Sequence, residues 1–277
     1  MPYTFPDVST APITDLISLR GRRAVVTGGA QGLGRAICER LAEAGADLLI
    51  IDLDLGGAEA AAEQIATQHK TRAIATAADV SRTESISAAA DLAAEQLGGI
   101  DIWVNNAGIF PNAPVLDMPD EMWDQVFAVN TRGAFLGSRE AARHMSQGDS
   151  GGVIVNIIST AGFKVGFPGM AAYASSKHAA NGLTKSLALD LAPMGIRVLG
   201  VAPSYVPTEG NIAAAAAGME AAKAAGVELP DLDVMNQSLI GRTGTPDDIA
   251  RVVLFAASDL SMIMTGSTLL ADAGETI

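Results

Sequence analysis

Tyr173 and Lys177 stand four residues apart at the start of a helical segment, YASSKHAANGLTKSLALDL, so their side chains share one face. A free phenol has a pKa of about 10 and is a poor base at neutral pH. An ammonium beside it stabilises the phenolate and lowers that pKa, as would a positively charged nicotinamide ring. Such a tyrosine can take the proton from an alcohol as its hydride leaves, or return one in reduction. The same spacing also arises in ordinary surface pairs, so its weight depends on what accompanies it. Ser159 follows the apolar run GGVIVNII. A hydroxyl there suits a second group polarising the substrate oxygen; it also suits a turn cap.

A different chemistry is written near the beginning. Thr27-Gly28-Gly29-Ala30-Gln31-Gly32-Leu33-Gly34 lies between a β-branched run and an amphipathic helix. Gly28, Gly32 and Gly34 allow a tight turn and close backbone approach, with Gln31 and Leu33 at the mouth of the helix. A pyrophosphate can lie against the N–H groups and positive dipole of such a helix start. Eighteen residues past Gly34, Asp52 ends the next apolar run. A carboxylate there accepts hydrogen bonds from both hydroxyls of an adenosine ribose and repels a 2′-phosphate. Binding NADP would call for a basic residue at 53 or in the turn, yet these positions hold Leu53, Gly29, Ala30 and Gln31. The expected cofactor is NAD. Arg35, one turn into the helix, reads as solvated or structural.

These groups need a scaffold that brings strand ends together. From Arg22 onward, short apolar runs alternate with amphipathic stretches. The expected strands are Arg23–Thr27, Asp47–Ile51, Arg72–Ala77, Ile100–Asn105, Gly152–Ile158 and Ile196–Val201. Between them lie helices at Leu33–Ala44, Gly56–Gln68, Thr83–Leu97, Asp120–Met145 and Ala171–Ala192. Unbroken apolar strands separated by helices are covered on both faces, which implies a parallel sheet with right-handed crossovers. The expected fold is α/β, a doubly wound parallel sheet flanked by helices, with ligands beyond the carboxyl ends of the strands. Residues 1–20 carry three prolines and no periodicity, and read as an arm. Residues 21–277 read as one domain, with a helical insertion at 205–241 serving either as substrate lid or as a surface excursion.

The 277 residues are 49% hydrophobic, enough for a sizeable core, and carry a formal net charge of −13. That acidity argues against nucleic acid and against an anionic membrane surface, both of which need clustered Lys and Arg. No window reaches the ~18 apolar residues of a membrane span, and MPYTFPDVST lacks the features of a secretory signal. A cytoplasmic location is expected by default. The single cysteine, Cys38, sits in an apolar helical stretch and reads as a small core residue. No His/Cys/carboxylate cluster has metal-ligand spacing, so no catalytic metal is expected. His144 and His178 read as structural or solvated and Trp103 as core, while Met219, Met235, Met262 and Met264 either line an apolar pocket or fill the core.

Together these residues resemble the short-chain dehydrogenase/reductase family, and the similarity runs from Arg22 to Gly274. It includes TGGAQGLG at 27–34, Asp79-Val80, NNAG at 105–108, Asn130 in FAVNTRGAF, Ser159 in NIISTAG and YASSK at 173–177. It continues through VAPSYVPT at 201–208, GRTGTPDDIA at 241–250 and TGSTLLADAG at 265–274. The resemblance implies a Rossmann-type fold with Tyr173 as general acid/base. It implies that Lys177 lowers the tyrosine pKa and holds the nicotinamide ribose, that Ser159 orients the substrate oxygen, and that Asn130 anchors a water relay. By the same resemblance Asp79 and Val80 contact adenine, Asn106 lines the cofactor groove or braces the sheet, and Val206 and Thr208 hold the nicotinamide carboxamide. Trp123 begins a helix that commonly forms subunit contacts in this family, whose commonest assembly is a homotetramer. Two departures stand out: Pro203-Ser204 replaces the usual Pro-Gly, and Asp272-Ala273-Gly274 the usual Asp-Gly-Gly.

The expectation is an NAD-dependent oxidoreductase acting on a secondary alcohol or ketone of a small, uncharged substrate such as a polyol, sugar or simple secondary alcohol. The charges near the insertion (Glu209, Glu220, Lys223) form no Arg cluster that would clamp a carboxylate or phosphate. The alternatives are an NAD-binding sensor or scaffold without turnover, which would be expected to lose the tyrosine or lysine, and an epimerase or dehydratase, which usually needs a separate substrate domain.

Overall fold

Seven parallel strands form one sheet in the computed structural model, which describes residues 3–148, 151–210, 212 and 238–277. They are β1 (Arg23–Thr27), β2 (Asp47–Asp52), β3 (Ala73–Ala77), β4 (Ile102–Asn105), β5 (Gly152–Ile157), β6 (Ile196–Pro203) and β7 (Thr268–Ala271). Their order is β3-β2-β1-β4-β5-β6-β7. Chain direction across the sheet reverses between β1 and β4, which places a crevice beyond their carboxyl ends. The doubly wound, Rossmann-type architecture is the expected one. β7 closes the edge beside β6, pairing Val201 with Leu269; its four residues, three half-buried and Leu270 exposed, carry too little pattern to stand out in the sequence.

Alternation along each strand sends neighbouring side chains to opposite faces. On one face Val26, Ile50, Val104 and Val155 pack against α2 (Gly32–Glu43), α3 (Leu55–His69) and a late helix, Pro246–Ala257. On the other, Val25, Leu49, Trp103 and Ile154 pack against α4 (Thr83–Leu97), α6 (Gly133–Met145) and α7 (Ala171–Leu191). Cys38 and Trp103 are fully buried, and burial pushes the Cys38 thiol far above its usual range. Met264 packs on the first core layer; Met219 and Met235 lie outside the described residues, as does residues 213–237 of the insertion.

The late helix, here α8 after the five-residue α1 (Ile13–Ile17) and α5 (Asp120–Phe127), is started by a capping box between Thr245 and Asp248, with Pro246 in its first turn. Its carboxyl end is held by Arg197. That buried guanidinium donates to the carbonyls of Ala256, Ser258 and Ser261 and to the Ser261 hydroxyl at 2.9–3.3 Å. Burial lowers its pKa to about 10.

The expected helix 120–145 is interrupted. α5 ends at Phe127, Ala128–Arg132 forms a π-helical turn in which Gly133 N–H reaches Ala128 O, and α6 follows. The extra residue per turn rotates the following helix, and such insertions are frequent at functional sites. Asn130 is buried within it. No helix among the described residues is long and apolar enough to cross a membrane.

Candidate active site

The glycine turn is built on constraints that only glycine meets. Gly28 and Gly32 have φ of +65° and +56°. A Cβ on Gly34 would lie 2.0 Å from Gly28 O, so α2 can approach the β1 end only without a side chain there. Gln31 precedes α2 without a side-chain cap, and Leu33 lies partly buried beside it. The first N–H groups of that helix therefore lack the cap that Thr245 gives α8. Across the crevice, Thr208 touches the turn: a Cβ on Gly32 would meet its Cβ at 3.4 Å.

Below the turn, Thr27 Oγ1 accepts from the backbone N–H groups of Asn106 and Ala107 at 3.0 and 3.1 Å. Asn106 Nδ2 donates to Thr27 O and Gly28 O, both at 2.9 Å. This side chain ties β4 to the glycine turn, so the bracing role is visible in the geometry. Asn105 works one layer down: it donates to Asn156 Oδ1 at 2.8 Å and Ser138 Oγ at 2.9 Å, and accepts from Trp103 Nε1 at 2.7 Å. Asn156 continues the buried chain to Thr184 of α7. Satisfied polar networks of this kind fix the relative heights of the elements they join.

At the far end of the turn, Asp52 is half-buried, accepting from Ala30 N at 3.0 Å and Asp54 N at 3.2 Å. Leu53 beside it is exposed. Arg35 is committed to Glu39 and Gln64 at 3.0 and 2.9 Å, away from the turn. Asp79 is turned inward onto Ser81, accepting from its N–H and hydroxyl at 2.9 and 2.7 Å, while Val80 is buried against Gly133. Val206 also has its side chain in the core, with Ile249 and Val253 of α8 in the same cluster.

Two of the expected site hydroxyls, those of Ser159 and Tyr173, come near each other beyond the carboxyl end of β5. Ser159, in extended backbone, accepts from Ala161 N at 3.1 Å, capping the short 3-10 turn Thr160–Gly162. Its hydroxyl also lies near enough to the Tyr173 phenol to draw the phenol pKa down. Capping and proximity to the phenol thus coexist. Lys177, buried one turn along α7, donates from Nζ to Ile157 O at 2.8 Å and lies 5.8 Å from the centre of the Tyr173 ring. Burial lowers its pKa to about 8. In the protein alone, burial of the phenol outweighs the neighbouring Ser159 hydroxyl and raises its pKa above 10, while Lys177 Nζ is aimed at the Ile157 carbonyl.

Asn130 reaches this group from the π turn. Its Oδ1 accepts from Ile109 N at 2.9 Å, and its Nδ2 donates to Ile109 O at 2.8 Å and Ser176 Oγ at 3.1 Å. Ser176, fully buried, donates in turn to Tyr173 O at 2.7 Å. Ser176 and Thr27 were not singled out by the sequence, although each lies inside a motif that was. His178 is bonded to Ala174 O within α7, and His144 lies 3.2 Å from Asp91, both outside this cluster.

A family model described as short chain dehydrogenase matches residues 22–217. The 3beta-hydroxysteroid dehydrogenase 2 of Eggerthella lenta is 36% identical over 262 residues, 92% of this chain and 95% of that protein. The L-2,3-butanediol dehydrogenase of Corynebacterium glutamicum is 36% identical over 260 residues, 91% and 97% of the two chains. A solved short-chain type dehydrogenase/reductase from Mycobacterium marinum superposes with a TM-score of 0.86 at 33% identity, covering 96% of this chain and 99% of that one. Match, relatives and fold agree: the chain belongs to the short-chain dehydrogenase/reductase family of oxidoreductases.

Proposed function

We propose that the protein is an NAD-dependent dehydrogenase/reductase interconverting a secondary alcohol and its ketone on a small, uncharged substrate. The observation that carries this reading is the Ser159–Tyr173 hydroxyl pair beside buried Lys177, at the end of a crevice that begins with an uncapped glycine turn. NAD, when bound, supplies the acceptor for the two electrons and hydrogen leaving the carbinol carbon. Gly28, Gln31, Gly32, Leu33 and Gly34 would hold its pyrophosphate, and Asp52 its adenosine ribose. Asp79 and Val80 would flank adenine, Asn106 the groove floor, Tyr173 and Lys177 the nicotinamide ribose, and Val206 and Thr208 the carboxamide. Val206 would do so through its backbone, since its side chain is buried. The inward turn of Asp79 likewise favours its backbone.

In the protein alone the Ser159 hydroxyl sits beside the Tyr173 phenol. A substrate hydroxyl entering between them receives a hydrogen bond from Ser159 Oγ and gives its proton to Tyr173 Oη once the phenol has released its own to solvent. A positive charge brought close to the phenol is what brings its raised pKa within range. Lys177 adds to that when its ammonium turns from Ile157 O toward the ribose and tyrosine. Asn130 has both amide hydrogens committed to protein. A relay water would therefore accept no hydrogen bond from it and would donate to Oδ1 or to the backbone carbonyl.

The reading extends to a cytoplasmic homotetramer with residues 1–20 as an arm and 205–241 as substrate lid. Half-exposed Trp123, stacked on Phe127 at 4.8 Å, supports a subunit contact along α5 and α6. The test is to follow reduced-nicotinamide absorbance with NAD or NADP over a panel of secondary alcohols, polyols and hydroxysteroids. Turnover with NAD is expected. NADP preference would overturn the Asp52 argument, and NAD binding with no turnover across the panel would favour the sensor.

A further inference from the structure

We infer that the substrate carries a bulky apolar body, of the medium-chain or alicyclic secondary alcohol class rather than the polyol or sugar class, seated on an aromatic rim formed by two tied loops. The inference rests on the dehydrogenase reading above.

The Ser159 hydroxyl lies near the Tyr173 phenol, so the chain between them leaves these two hydroxyls and returns to them. Its outer part, residues 163–168, exposes Phe163, Val165 and Phe167 at 42%, 58% and 42%. Facing it is the loop after β4. Phe110 there is 55% exposed and sets its ring edge-on to Tyr173, with centroids 6.2 Å apart and planes at 72°. The two loops are fastened to each other. Asn112 Nδ2 donates to Pro168 O at 3.1 Å, and Ala113 N to Gly169 O at 3.2 Å. The residue before Phe110 is the one Asn130 clamps. Three phenyl rings and a valine, one ring edge-on to the tyrosine, stand open on fastened backbone and are not covered by the described residues, an apolar surface of the kind that takes an apolar ligand.

Polar partners for a polyol are scarce on this rim. The polar side chains beside it, Asn112 and Lys164, each already give one hydrogen to a backbone carbonyl, Pro168 O at 3.1 Å and Glu275 O at 3.0 Å, and the rest of the rim is phenyl and valine. Extra hydroxyls pressed on phenyl faces would lose water without replacement bonds, whereas each methylene buried there gains about fourfold in affinity.

The experiment uses two series with the same reacting centre, 2-butanol to 2-decanol and cyclohexanol to decalol, with tetritols and pentitols for comparison. In the native protein kcat/KM with NAD should climb about fourfold per methylene until the rim is filled, and polyols of matched length should be at least roughly 100-fold poorer. Phe163→Ala and Phe167→Ala should flatten the climb. A flat series in the native protein, or polyols preferred, overturns the inference; so does a climb untouched by both variants. Alcohols bound to protein loaded with reduced cofactor cannot react, so calorimetry of the same series reads the rim without turnover. Dissociation constants that fall with length while no alcohol turns over would sink the dehydrogenase reading and keep the apolar site. Turnover with a flat series would do the reverse.

Discussion

One side-chain amide, that of Asn130, holds both backbone polar atoms of Ile109, accepting from its N–H at 2.9 Å and donating to its carbonyl at 2.8 Å. The pairing imitates a short stretch of sheet and fixes the loop that carries Phe110. The remaining amide hydrogen goes to Ser176, whose hydroxyl holds the Tyr173 carbonyl. Asn130→Ala removes all three bonds and leaves buried groups unpaired, at a cost of about 2–4 kcal/mol. The expected result is a melting temperature lowered by several degrees, with kcat down at least tenfold. Unchanged melting and turnover would show that the clamp is dispensable.

The Tyr173 phenol is the proposed proton acceptor, and burial holds its pKa above 10 in the protein alone. Alcohol oxidation should therefore accelerate with rising pH through the neutral range. Tyr173→Phe should lower kcat/KM by about 10²–10⁴ and abolish that limb, leaving NAD affinity within a few-fold. Ser159→Ala removes the hydroxyl that lowers the phenol pKa, so its limb should move to higher pH. A limb that stays put in Ser159→Ala would assign the titration to another group.

Lys177 places a stability cost beside the chemistry. Burial lowers its pKa from 10.5 to about 8. The folded state thus disfavours the proton that the unfolded chain keeps. The cost is present in full below about pH 8 and disappears as pH rises from there through the ordinary lysine value. Lys177→Met, which removes the charge but leaves Ile157 O without its donor, should be inactive yet more stable at pH 7 by about 1–2 kcal/mol. The advantage over the native protein should shrink above pH 8. Denaturant unfolding at pH 7 and pH 9.5 measures it, and equal stabilities at pH 7 would contradict the argument.

Cofactor choice should follow charge at 52 and 53. Asp52→Asn with Leu53→Arg keeps an acceptor for Ala30 N–H, removes the repulsive carboxylate and adds a cation at an exposed position. The ratio of kcat/KM for NADP to that for NAD should rise roughly 10–100-fold. No change in the ratio would show that a 2′-phosphate is not read here.

Ala273 stands where the family pattern has glycine, and its φ is +54°. Its carbonyl accepts from Leu239 N at 2.9 Å, so the strained turn anchors the far end of the insertion. Ala273→Gly should relieve the left-handed strain, offset in part by greater freedom of the unfolded chain, for a net gain of about 0.5–1 kcal/mol. Thermal unfolding reads the gain; a loss would mean that the alanine methyl packs favourably in the turn.

The elements of the fold were legible because their signals are local. Apolar runs such as DLLII and GVIVNI can only be buried on both faces, and the glycine turn announces where a strand gives way to a helix. The break at Ala128–Arg132 was not legible: FAVNTRGAF has ordinary helical composition, and the π turn depends on what α5 and α6 pack against. The same holds for β7, whose TLLA becomes a strand only because β6 offers it an edge.

Residue types and order, then, determined the parallel sheet, the glycine turn and the set of side chains able to move a proton. Tertiary structure decided how those side chains stand to one another. It turned Lys177 onto Ile157 O and buried Tyr173, and that burial raises the phenol pKa. It also spent Asn106 on backbone carbonyls and Asn130 on Ile109 and Ser176, and tied the loop that carries Phe110 to the one that carries Phe167. Propensity and periodicity act over a few residues. Burial, hydrogen-bond partners and pKa depend on groups brought together from distant parts of the chain, and these exist only once the chain has packed.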